Sequence, residues 1–103
     1  MSDKYILKDG QPVKCDDLME WAQWYETADR KIAYAEKNGV RVDTIFLSLD
    51  HNWGPGEPIL FETRVFGGKY DQELERYETI ESARLGHADM CRLVGIEQQK
   101  EAK

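Results

Sequence analysis

Asn38-Gly39 stands between two segments that both read as strands, KIAYAEK and VRVDTIFLSLD. This dipeptide takes up the two consecutive positive φ angles of a type I′ turn more readily than any other pair, and that turn's twist matches the twist of flanking strands. It predicts a hairpin of set register, with Glu36 opposite Arg41 and Ala35 opposite Val42, so that opposite charges meet across the strands. A sheet has to grow from there. The second strand is expected to run to about Asp50, a Gly/Pro loop over 51–58 to reverse the chain, and ILFETRVF to return until Gly67-Gly68 breaks it. QELERYE follows as a last strand, giving a four-stranded antiparallel meander from about Arg30 to Glu78.

The flanking segments supply what can pack on that meander. Asp9-Gly10 lies between the short runs Tyr5 to Lys8 and Pro12 to Cys15, which predicts a small N-terminal hairpin with Pro12 on an edge strand. From Asp17 the period changes. Leu18, Trp21, Ala22 and Tyr25 recur at i, i+3, i+4, i+7, the apolar stripe of a helix to about Ala28, with Asp17 and Glu20 spaced as a capping box. Thr79 is placed to cap a final helix through Leu93, closed by Gly95. The tail from residue 96 is expected to fray. The order is ββαββββα, an α+β fold in a single domain spanning 1–103.

Both faces of the central hairpin carry apolar residues. Ile45, Leu47 and Leu49 fall on one side, Val42 and Phe46 on the other, whereas a sheet with one solvated face should alternate cleanly. Either the helices divide between the faces, or the second face is buried by the N-terminal hairpin or by another subunit. A homodimer is the favoured expectation, because a contiguous apolar patch marks an interface.

A chain of 103 residues can bury roughly 65% of its unfolded surface and needs no metal or disulfide staple to fold. Its net charge is −6, concentrated in Asp71, Glu73, Glu75, Glu78 and Glu81, against generic nucleic-acid binding, which requires clustered Lys and Arg. That acidic edge suits a basic protein partner, or simply a solvated strand and helix start. Cys15 and Cys91 stand far apart and outside any CxxC pattern. No apolar run approaches the ~18 residues of a membrane span, and Met1-Ser2-Asp3-Lys4 leads straight into a strand. A cytoplasmic protein with reduced thiols is expected, with no membrane partner and no cofactor.

Chemistry is concentrated around SLDHNWGPGEP, Ser48 to Pro58. Asp50 and His51 end a central strand, Glu62 lies a few positions into the returning strand, and His87 is the one other histidine. If the last helix covers that rim, the four side chains offer two imidazoles and two carboxylates, enough for a divalent metal or for acid–base catalysis. The structural alternative is stronger. Asp and Asn beside a turn bond their own backbone, and Gly54, Pro55, Gly56 and Pro58 shape the bend. Trp53 at the tip then becomes an interaction anchor, with Asn52 and Glu57 as neighbouring contact residues, or else tucks back over the sheet edge. His87 and Cys91 form an i, i+4 pair capable of a thiolate–imidazolium contact, although a buried helical cysteine is ordinarily a small core residue. Gly67-Gly68 precedes a strand, not a helix, so it is a turn and no phosphate loop.

The stretches VDTIFLSLDHNWG, PILFETRVFGG, ERYET and ARLGH resemble a family of small uncharacterised proteins encoded by tailed bacteriophages and prophages, over about Lys4 to Val94. The resemblance implies a phage-encoded protein of the host cytoplasm with no assigned activity. It brings no catalytic residues with it. The residues themselves favour an accessory protein that acts by protein binding, to a host protein or in phage assembly, through an exposed sheet face, Trp53 and the acidic stretch Asp71 to Glu81. The alternative expectation is a small metal-dependent or acid–base enzyme built on Asp50, His51, Glu62 and His87.

Overall fold

The computed structural model of the chain describes residues 3–96. Its elements follow as β1 (Tyr5–Lys8), β2 (Gln11–Lys14), α1 (Leu18–Thr27), β3 (Lys31–Lys37), β4 (Val40–Phe46), β5 (Phe61–Phe66), β6 (Leu74–Tyr77) and α2 (Ile80–Val94). This is the expected ββαββββα order, arranged as a two-stranded sheet β1-β2 and a four-stranded antiparallel sheet β3-β4-β5-β6. Asn38 and Gly39 adopt φ of 52° and 83°, as a type I′ turn requires. The register follows from that turn, with Glu36 paired to Arg41 and Ala35 to Val42. Asp9 and Gly10, at 52° and 78°, repeat the device in the N-terminal hairpin.

Capping sets the ends of both helices. The Asp17 side chain accepts hydrogen bonds from the Met19 and Glu20 amides, covering two of the donors that a helix start leaves unsatisfied. Thr79 and Ser82 form a reciprocal capping box on α2, and Gly95 closes that helix in the left-handed region at φ 86°.

The helix α2 lies across one face of the four-stranded sheet. Val42, Thr44, Phe46, Phe61, Thr63 and Val65 point into that layer and are fully buried. Two apolar clusters form there. One joins Val42 and Val65 to Met90, Cys91 and Ile96; the other joins Phe46, Leu60 and Phe61 to Ile80 and Ala83, with Tyr5, Leu7 and Trp24 packed against it. Because Tyr5, Leu7 and Trp24 join that second cluster, the N-terminal hairpin and α1 sit at the end of the same face that α2 covers. The opposite face has no covering element among the described residues.

Several expectations change on this frame. Strand β4 stops at Phe46, short of Asp50, because Ser48 turns left-handed at φ 64°. Beyond that break the chain pairs with the N-terminal segment, through a Lys4–Leu49 bridge and hydrogen bonds from Tyr5 N to Ser48 O and from Asp50 N to Asp3 O. The stripe of α1 is also rotated. Trp21 and Trp24 turn inward, while Leu18 is 62% and Met19 65% exposed, and no residue of the helix is fully buried. The Trp24 ring meets Phe46 edge-on at 5.8 Å, and this contact draws the Trp21–Trp24 side of the helix inward. Finally, Ile96, expected in a frayed tail, is buried in the core, where its amide donates to Cys91 O. The rest of that expected tail, 97–103, lies outside the described residues.

Candidate functional site

The loop after Ser48 is braced by its own side chains. Asp50 Oδ1 accepts from the amides of Asn52 at 2.7 Å and Ile59 at 3.0 Å. Asn52 donates through Nδ2 to the carbonyls of Pro55 and Glu57 and accepts from the Gly54 amide. His51 Nδ1 lies 2.8 Å from the Leu49 carbonyl, which can only accept, so that nitrogen carries the proton. Asp50, His51 and Asn52 thus hold the loop, and Glu57 contributes its backbone to it. Trp53 is presented outward, 76% exposed, with its ring 5.7 Å from that of His51.

Asp50, His51, Glu62 and His87 do not share a rim. Alternation along a strand separates them. Glu62 pairs with Ile45 and Arg76 on the uncovered face, whereas the neighbouring Thr63 and Thr44 face α2. His87 reaches Thr44 from α2, with Nδ1 2.8 Å from Thr44 Oγ1, and so lies on the other side of the sheet from Glu62. Among the described residues no group of three or more His, Cys, Asp or Glu side chains is placed to hold a metal.

What His87 does instead is join a polar layer between the two apolar clusters. Thr63 Oγ1 and Thr44 Oγ1 are 2.5 Å apart, Thr44 meets His87 Nδ1, and His87 Nε2 lies 3.5 Å from Cys91 Sγ. Burial pushes the imidazole below its ordinary pKa, opposed by the charge of Asp43, and burial pushes the Cys91 thiol up, opposed by Arg92. Both shifts favour the neutral forms. The His87–Cys91 contact anticipated from the i, i+4 spacing is therefore a thiol beside a neutral imidazole, and a weak nucleophile. A Cβ on Gly86 would collide with the Tyr77 ring, which is the close approach that glycine in this helix permits.

The uncovered sheet face has a different chemistry. Its rows, read from the strand register, are Glu36-Arg41-Phe66, Tyr34-Asp43-Arg64-Leu74 and Lys31-Ile45-Glu62-Arg76. Arg41 Nε donates to Asp43 Oδ2 at 3.0 Å, and its guanidinium lies 4.3 Å from the Phe66 ring centroid. Glu62 is flanked by Arg76 at 3.1 Å and Arg64 at 3.5 Å, and those side chains with Ile45 leave it only 9% exposed. Asp43 Oδ1 is buried and has no hydrogen-bond partner among the described residues. It lines a depression of about 250 Å³ with Ile45, Glu62, Arg64 and Phe66. No catalytic spacing in the sequence points to this face. The signal was present in the alternating charges Arg41, Asp43 and Glu62, Arg64, which acquire meaning only once the two strands are set in register.

The acidic edge forms a second concavity. Glu73, Glu75 and Asp89 rim a groove of about 260 Å³ between β6 and α2, floored by Tyr77, Gly86, Met90 and Leu93. Asp71 serves the turn before it by accepting from the Gly67 amide.

Comparison with known proteins returned no matching family model, no matching curated protein and no matching solved structure.

Proposed function

We propose that this chain is a phage-type accessory protein of the host cytoplasm that acts by binding protein, with the uncovered face of the four-stranded sheet as its principal contact surface. The observation that supports the binding reading is a sheet face bearing Tyr34, Ile45, Phe66 and Leu74 among paired charges, with no helix laid over it among the described residues. Faces of this kind resemble the interior of an interface, with aromatic and arginine side chains over apolar positions. Trp53 on its braced loop is a second, smaller anchor. In this reading Asp50, His51 and Asn52 are structural, and no step of catalysis is assigned to them.

Hydroxyl-radical footprinting tests the reading. Tyr34, Ile45, Phe66 and Leu74 should be oxidised in dilute purified protein and protected when the same chain is footprinted in a concentrated bacterial lysate. Equal oxidation of these four side chains in both conditions overturns the assignment of the face.

A further inference from the structure

We infer that the occupant of the uncovered sheet face is a second copy of this chain, docked about a two-fold axis parallel to the strands so that Asp43 of each copy pairs with Arg64 of the other. The inference rests on the reading of this face as a protein-binding surface and names its partner. Balance of charge is the first argument. The chain as a whole carries −6, yet the rows of this face set Lys31, Arg41, Arg64 and Arg76 against Glu36, Asp43 and Glu62, within one charge of neutral. A basic partner is better matched by the acidic groove beside β6. A nearly neutral face with both signs of charge alternating along it suits a copy of itself.

Symmetry is the second argument. A two-fold axis running over the gap between β4 and β5, parallel to them, lays β4 of one copy on β5 of the other with each row facing the same row. Sheets packed face to face keep their strands within about 30° of one another, so the row correspondence survives the packing. In the middle row Asp43 then faces Arg64, twice, and Tyr34 faces Leu74. In the first row Arg41 faces Phe66. The third row brings Lys31 near Arg76 at the rim, where water screens like charges. A two-fold axis perpendicular to the strands would set Asp43 against Asp43 and is disfavoured on the same count.

Unsatisfied groups are the third argument, and they fall in the row that symmetry selects. Asp43 Oδ1 is a buried acceptor with no donor among the described residues. Arg64 is held loosely, 3.5 Å from Glu62 and 3.4 Å from Gln72, and is 37% exposed. Asp43 Oδ1 is covered by its own chain, so a turn of the carboxylate toward the depression it lines brings it to the Arg64 of the other copy, where a charge-assisted bond is stronger than either contact Arg64 now makes.

Sedimentation over a range of concentrations decides the matter, using wild type, Asp43→Arg, Arg64→Asp and an equimolar mixture of the two variants. Wild type should pass from 12.0 kDa to twice that mass. Each variant alone sets like charges across the axis and should stay monomeric, while the mixture restores both pairs and should dimerise, as should the double variant D43R/R64D. That restoration also shows that the single variants fold. A wild-type monomer at the highest soluble concentration, a single variant that still dimerises, or a mixture that stays monomeric each overturns the inference. A wild-type monomer whose Tyr34 and Phe66 are nevertheless protected in lysate overturns the second copy as occupant and leaves the reading of the face intact; no protection in either setting removes both.

Discussion

Two glycines hold adjacent turns together. Gly39 completes the type I′ turn, and Gly67, at φ 91°, is so close to it that a Cβ would collide with the Gly39 carbonyl oxygen. Replacing Gly39 with Val should destabilise the protein by about 1 kcal/mol or more through the positive φ alone. Gly67→Ala should be at least as damaging, because it adds a backbone collision to the same strain; urea denaturation of the two variants checks both. The first effect was legible in the Asn-Gly dipeptide. The second was not, since it depends on where β5 ends relative to the neighbouring turn. The 48–58 loop was legible in part, because Asp and Asn beside glycine and proline are residues that bond local backbone. The proposed grouping of its acid and histidine with Glu62 and His87 failed for a geometric reason, since Glu62 and the Thr63 beside it necessarily face opposite sides.

Helix α1 shows how a periodic pattern can be read one face out of place. The spacing of Leu18, Trp21, Ala22 and Tyr25 describes a helix correctly, but the face that packs is chosen by what lies opposite, and Phe46 receives Trp24. Trp24→Ala should therefore lower stability by about 2–3 kcal/mol, somewhat below the full range for a buried aromatic because the residue is half-buried. Leu18→Ala, on the exposed side, should change it by less than about 0.5 kcal/mol. Thermal melts of the pair discriminate the two stripes. For α2, the buried His87 makes stability depend on pH. Its folded pKa lies below the ordinary value of about 6.5, so below that value the unfolded chain binds more protons than the folded one. Stability should be complete above about pH 6.5 and decline as pH falls toward the lowered value, with Asp43 moderating the loss. His87→Gln, which keeps hydrogen-bonding capacity and cannot titrate there, should flatten that part of a urea-midpoint profile.

At the scale of the whole molecule, both layers that cover the four-stranded sheet lie on one side. Apolar residues on both faces of the central hairpin were visible as sequence alternation, and so was the need for something to cover each face. Which face the helices would choose was not, because both can reach either side through the short connections at Asp29 and Glu78. Phe66→Glu should consequently abolish protection of Tyr34 and Leu74 in the footprinting experiment while leaving the dilute melting temperature nearly unchanged, since Phe66 contributes to neither apolar cluster on the covered side.

The left-handed Ser48 ends β4 and hands the chain to the N-terminal segment. The bonds that follow it, to Asp3 and from Tyr5, tie the start of the Trp53 loop to β1, and Cys15 N to Lys4 O adds β2 to the same bundle of contacts. Segments bonded in this way open together. The amides of Tyr5, Cys15 and Asp50 should exchange with solvent deuterium at one common rate, faster than those of β4 and β5, so that loosening the N-terminal hairpin also releases the tryptophan 48 residues further along the chain from Tyr5.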